Sequence, residues 1–88
     1  MPSFLVETYL ARAGSADRID RERRARETAE ELTRAGTRVC FNGSIHVPGD
    51  EICFFIFDAP SGREAAFVAE HAELDPLRVV EAVSSRKE

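Results

Sequence analysis

The chain has 88 residues, room for one hydrophobic core and no second domain; a chain this short buries only roughly 60% of its unfolded surface and gains from a partner's. Hydrophobic residues make up 43% and charged residues 32%, with both signs interleaved, which excludes disorder by composition. The net charge of −4 excludes the overall basic footprint of a nucleic-acid partner.

Phe4 to Leu10 alternates, with Phe4, Val6, Thr8 and Leu10 on one face and Leu5, Glu7 and Tyr9 on the other, and is predicted as strand one. The opening segment Met1 to Glu7 lacks the basic start and apolar stretch of a signal peptide, so the expected compartment is the cytoplasm. Gly14-Ser15 breaks the strand, and Asp17 is predicted to cap a helix carrying Ala25, Thr28, Ala29, Leu32 and Ala35 as one stripe. Gly36 suits the position just past its end. The helix is rich in arginine, but Asp20–Arg24, Glu22–Arg26 and Glu30–Arg34 stand at i, i+4 spacing, which describes a solvated face better than a nucleic-acid or membrane surface.

Thr37 to Val47 alternates again, and Pro48-Gly49-Asp50 is turn chemistry leading into the apolar run Glu51 to Asp58, so the two segments form a hairpin. The longest apolar stretch, Ile52 to Phe57, is far short of the ~20 residues that span a bilayer, and no membrane partner is expected. Ser61 and Glu64 form a capping box, the serine hydroxyl accepting the Glu64 backbone N–H and the carboxylate returning to the Ser61 N–H. The helix they open buries Ala65, Val68, Ala69 and Ala72; Asp75-Pro76 stops it before a last strand over Leu77 to Val83. The tail Ser84 to Glu88 is expected to fray.

The order β-α-β-β-α-β within residues 1–88 predicts a single α+β domain: a ferredoxin-like βαββαβ sandwich, a four-stranded antiparallel sheet with two helices on one face. Its other face then needs an explanation. If Phe4, Val6, Val39, Phe41, Phe54, Ile56, Val80 and Ala82 face the helices, parity sends Leu5, Glu7, Tyr9, Cys40, Asn42 and Ser44 outward, together with His46, Cys53, Phe55, Phe57, Val79, Glu81 and Val83. So apolar a centre predicts a homodimer through the sheet face, or a face lining a small-molecule cavity.

Hairpin pairing sets His46 opposite Cys53 and Ser44 opposite Phe55. Cys40 falls too far along the strand to bridge Cys53, and both are expected as free thiols. Imidazole beside thiolate suits nickel, copper or zinc, and the carboxylate of Glu7 or Glu81 is placed to complete such a site. The plainer readings are a small buried hydrophobe for Cys53 and a half-exposed hairpin residue for His46. Glu7 and Glu81, in apolar strands, must each reach water, a partner such as Arg38 or Tyr9, or a cation. In an enzyme, Glu7, His46 and Glu81 are the candidate proton-transfer groups. No phosphate loop, CxxC, HExxH or GxSxG occurs, so no catalytic residue and no organic cofactor is assigned.

Phe4 to Glu7, Ser44 to Phe54, Phe57 to Ser61 and Arg78 to Val83 together resemble a family of small bacterial nickel-binding proteins, mostly labelled as a domain of unknown function, across almost the whole chain. The resemblance implies a ferredoxin-like dimer that binds nickel or another divalent transition metal. Where that family has a histidine before the strand-two serine, this chain has Gly43, which leaves His46 and Cys53, with Glu7, as the ligands. The expected function is a non-catalytic dimer holding a metal or small ligand at the open sheet face; a cofactor-free cyclase, isomerase or monooxygenase-like enzyme of the dimeric α+β barrel kind, or a structural interaction module, stand as alternatives.

Overall fold

A computed structural model of the chain describes residues 1–83, and the expected frayed tail lies outside the described residues. The elements are β1 (Ser3–Tyr9), α1 (Ser15–Arg34), β2 (Cys40–Val47), β3 (Ile52–Asp58), α2 (Gly62–His71) and β4 (Pro76–Ala82), with a short 3-10 turn, Pro48–Asp50, between β2 and β3. The strands form one antiparallel sheet in the order β2-β3-β1-β4, and both helices pack on one face of it. This is the ferredoxin-like α+β sandwich.

Local chemistry accounts for the helix ends. Helix α1 stops in a Schellman arrangement, in which the N–H groups of Gly36 and Thr37 bond to the carbonyls of Thr33 and Leu32; Gly36, at φ +112°, is the residue that adopts this backbone at little cost. Helix α2 ends the same way through Glu73 and Leu74, bonded to Glu70 and Ala69, with Glu73 at φ 59°. The Arg24 guanidinium crosses from α1 to donate to the Ala72 carbonyl at 2.8 Å and the Glu73 carbonyl at 3.2 Å, answering the negative end of α2 and tying the helices together.

Small residues bring the helices close to the sheet. Ala25 and Ala29 of α1 and Ala65, Val68 and Ala69 of α2 are buried against Phe4, Val6, Phe55 and Phe57. Phe55 and Phe57 are fully buried, and each side chain contributes roughly 1.5–3 kcal/mol by leaving water. Thr8 is the buried polar residue of this core, its hydroxyl donating to the Cys53 carbonyl at 2.9 Å.

Several local expectations are corrected. Asp17 lies inside the first turn of α1, behind Gly14 at the cap, and pairs with Arg21 at 3.0 Å. The Ser61 hydroxyl accepts the N–H of Arg63, not of Glu64, and donates to the Glu64 carboxylate. Asp20 binds Arg24 as expected, and Arg23 as well. Glu22 instead accepts the Ser44 hydroxyl, and Arg26 lies over the Phe41 ring.

The faces of three strands are also corrected. Cross-strand partners share a face, and β3 pairs Phe55 with Val6 and Phe57 with Phe4, so Phe55, Phe57 and Cys53 lie beneath the helices while Phe54 and Ile56 lie on the open side. In β4, Val79 pairs with Val6 and packs against the core, which turns Val80 and Ala82 outward. In β2 the alternation breaks at a bulge, where Asn42 and Gly43 together oppose Ile56, with Gly43 at φ +109°. Phe41 before the bulge and Ser44 and His46 after it therefore share the helix side.

Candidate functional site

The first candidate is the uncovered sheet face. β1 contributes Leu5, β2 Ile45 and Val47, β3 Phe54 and Ile56, and β4 Val80, from the residues of the ladder that alternate with the buried set. Ile45 is 51% exposed, and the others are half-buried. One end of the patch is polar: Asp58 accepts from the Ser3 hydroxyl at 2.6 Å and the Asn42 amide at 2.7 Å, with the exposed Cys40 thiol 3.6 Å from the Asn42 oxygen. Tyr9, 56% exposed, marks the other end. Glu7 is neutralised by Arg78 of the neighbouring strand at 3.2 Å.

The second candidate is a polar corner on the helix side. The 3-10 turn keeps the expected hairpin pairing, so His46 stands opposite Cys53 and Ser44 opposite Phe55. Above them, Arg18 donates to the Ser44 hydroxyl at 2.9 Å and to the Ser44 carbonyl at 3.1 Å, and the same hydroxyl donates to Glu22. Burial pushes the Cys53 thiol above its ordinary value, against the opposing pull of the Ser44 hydroxyl and the Arg18 guanidinium. Protonated and sealed from solvent, it is a poor nucleophile. The Nε2 atom of His46 is also sealed and has no hydrogen-bond partner.

The third is a cleft of about 370 Å³ between the second half of α1 and the outer edge of β2. Its floor is Ala29, Val39 and Phe41, and its rim carries Arg26, Glu30 and Arg34.

The expected site residues therefore divide. Glu7, Tyr9, Cys40 and Asn42 are on the open face, whereas Ser44, His46, Cys53, Phe55 and Phe57 lie on the helix side, with Glu81, opposite Phe4, exposed on that side. The set His46, Cys53 and Glu7 does not converge, because Glu7 pairs with Phe54 and so points away from Cys53. Glu7, His46 and Glu81 likewise do not line one cavity. Among the described residues no group of three or more His, Cys, Asp or Glu side chains is placed to hold a metal. Cys40 and Cys53 are free thiols.

Sequence reasoning missed Ile45, Phe54, Ile56 and Val80 as open-face residues and Arg18 and Glu22 as partners of Ser44. The signal that was present is Asn42-Gly43 inside a strand, which marks a bulge and so a change of face. No helix of the described residues is long and apolar enough to cross a membrane. No protein-family model, curated protein or solved structure matches this chain.

Proposed function

We propose that this chain is a non-catalytic ferredoxin-like binding module that works as a homodimer, two copies meeting through their open sheet faces. The observation that carries the reading is the apolar patch of Leu5, Ile45, Phe54, Ile56 and Val80, with its charges moved to the rim or, like Glu7, already paired. A surface so disposed costs free energy in water and gains by meeting its own kind.

The area fits. Four strands about 4.8 Å apart and about seven residues long at ~3.4 Å each cover roughly 450 Å² of plane, before side-chain relief is added. Two such faces bury about 1,000 Å² or more, the lower end of what a specific interface needs. Phe54 and Ile56 lie on an inner strand of the sheet, so a two-fold axis through the middle of the face sets the inner strands of the two copies against each other.

Light scattering after size exclusion tests this. The wild-type chain is expected at twice its 9.8 kDa mass at micromolar concentration, and Phe54→Asp at the single mass with an unchanged circular-dichroism spectrum. A wild-type monomer, or a Phe54→Asp dimer, overturns the reading.

A second reading, a divalent transition metal such as nickel, is favoured by one observation: the sealed, unpartnered His46 Nε2 across the ladder from Cys53. It reduces the expected ligand set to those two residues, and binding would have to displace the Cys53 proton. Calorimetric titration of reduced protein with nickel tests it: heat that His46→Ala abolishes supports the metal, and heat no greater than the dilution blank removes it.

A further inference from the structure

The geometry points to the cleft between α1 and the outer edge of β2 as a binding site for a small organic anion with a flat apolar body. Three features of the cleft specify that chemistry. Its floor is apolar and fixed, since Ala29, Val39 and Phe41 are all buried core residues. Its volume, about 370 Å³, falls in the lower part of the range that small-molecule sites occupy. Its rim holds two guanidinium groups, Arg26 and Arg34, against one carboxylate, Glu30.

The state of Arg26 matters most. On an exposed helix glutamates at i−4 and i+4 are within reach of an arginine as ion-pair partners, and Glu22 and Glu30 stand at those positions. Here Glu22 is drawn away to the Ser44 hydroxyl, and the Arg26 guanidinium lies 5.2 Å from the centre of the Phe41 ring. Among the described residues neither Arg26 nor Arg34 takes part in an ion pair. A guanidinium held on an aromatic ring keeps the donors along its edge free and loses little freedom when a carboxylate takes them. The small part of the same ring and of the neighbouring Val39 that stays exposed then meets the apolar body of the ligand.

β2 is an edge strand, so a ligand reaches the cleft from the side without disturbing the sheet or its open face. The site is therefore independent of the dimer proposed above.

Titration of ¹⁵N-labelled protein with benzoate, followed by amide chemical shifts, tests the inference, with benzamide as the uncharged comparison. Saturable shifts are expected at Ala29, Thr33, Val39, Cys40 and Phe41, and benzamide is expected to bind about tenfold more weakly or not at all. Arg26→Gln is expected to weaken benzoate about tenfold, Glu30→Gln to tighten it by removing the opposing charge, and Phe54→Asp to leave it unchanged. Linear, unsaturable shifts, equal binding of benzamide, or indifference to both Arg26→Gln and Glu30→Gln overturns it. Because Phe54→Asp separates the copies without touching the cleft, failure of the dimer and failure of this site are distinguishable.

Discussion

Val6 of β1 lies directly opposite Phe55 of β3, and both side chains are buried to completion between the sheet and the helices. That pairing decides which half of an almost wholly apolar strand becomes core. Phe55→Ala is therefore expected to cost about 3–5 kcal/mol of unfolding free energy, whereas Phe54→Ala, one residue away on the open side, costs about 1 kcal/mol or less in the separated chain. Urea denaturation of both variants at a dilution where the protein is monomeric checks this, and equal losses would reverse the assignment of faces.

Two backbone positions give opposite expectations. Gly43 sits at φ +109° with open space where a Cβ would project, so Gly43→Ala loses stability through backbone strain alone, by more than about 1 kcal/mol. Glu73 occupies the left-handed position after α2 at φ 59°, and Glu73→Gly is expected to add roughly 0.5–1 kcal/mol. Thermal unfolding of the pair reads both signs.

The two thiols should differ in reactivity and in their link to stability. Cys40 is exposed and Cys53 buried, so one equivalent of iodoacetamide is taken up by the native protein and the second only on unfolding, as peptide mass spectrometry would record. Burial raises the Cys53 value above the ordinary 9.0. Between that value and the raised one the unfolded chain has lost a proton that the folded chain still holds, so stability falls as pH rises, with a slope of at most about 1.4 kcal/mol per pH unit. Well below pH 9 the thiol is neutral in both states and this dependence vanishes. Denaturation followed from pH 8 to 10.5 should show a steeper alkaline decline in the wild type than in Cys53→Ala.

Ser44→Ala removes the hydroxyl that joins Arg18 and Glu22. A loss of about 1–2 kcal/mol is expected, with faster amide exchange in the first half of α1. Arg18→Ala in the Ser44→Ala background should cost less than in the wild type, because the bond to the hydroxyl is already gone and only the bond to the Ser44 carbonyl is left to lose.

Most of the architecture was legible because punctuation is local. Gly36 and the Ser61–Glu64 pair mark helix ends, Pro48-Gly49-Asp50 marks the hairpin, and the His46–Cys53 pairing follows from counting outward from that turn. The choice of face was not legible where alternation carries no contrast: Phe54, Phe55, Ile56 and Phe57 are apolar in succession, and only pairing with Val6 and Phe4 separates them. Val79 and Val80 pose the same ambiguity, compounded by the irregular register beside Glu7 and Thr8. Glu7 does not stand beside His46 and Cys53 for the same reason, since Glu7 and Cys53 belong to opposite sides of one sheet. The cleft was not legible at all. It depends on Glu22 turning to a serine 22 residues away, which leaves Arg26 to Phe41.

The extra residue at Asn42-Gly43 acts as a parity shifter within a single strand. Deleting one residue there while keeping the turn in place would close the bulge into plain alternation, with Phe41 still opposite Phe57, Ser44 still opposite Phe55 and a single residue left to face Ile56. The spare residue is thus the one place in this edge strand where the chain can shorten without changing sides, so a single deletion at Asn42-Gly43 should be tolerated far better than one at Ile45, which would turn one half of the strand inside out.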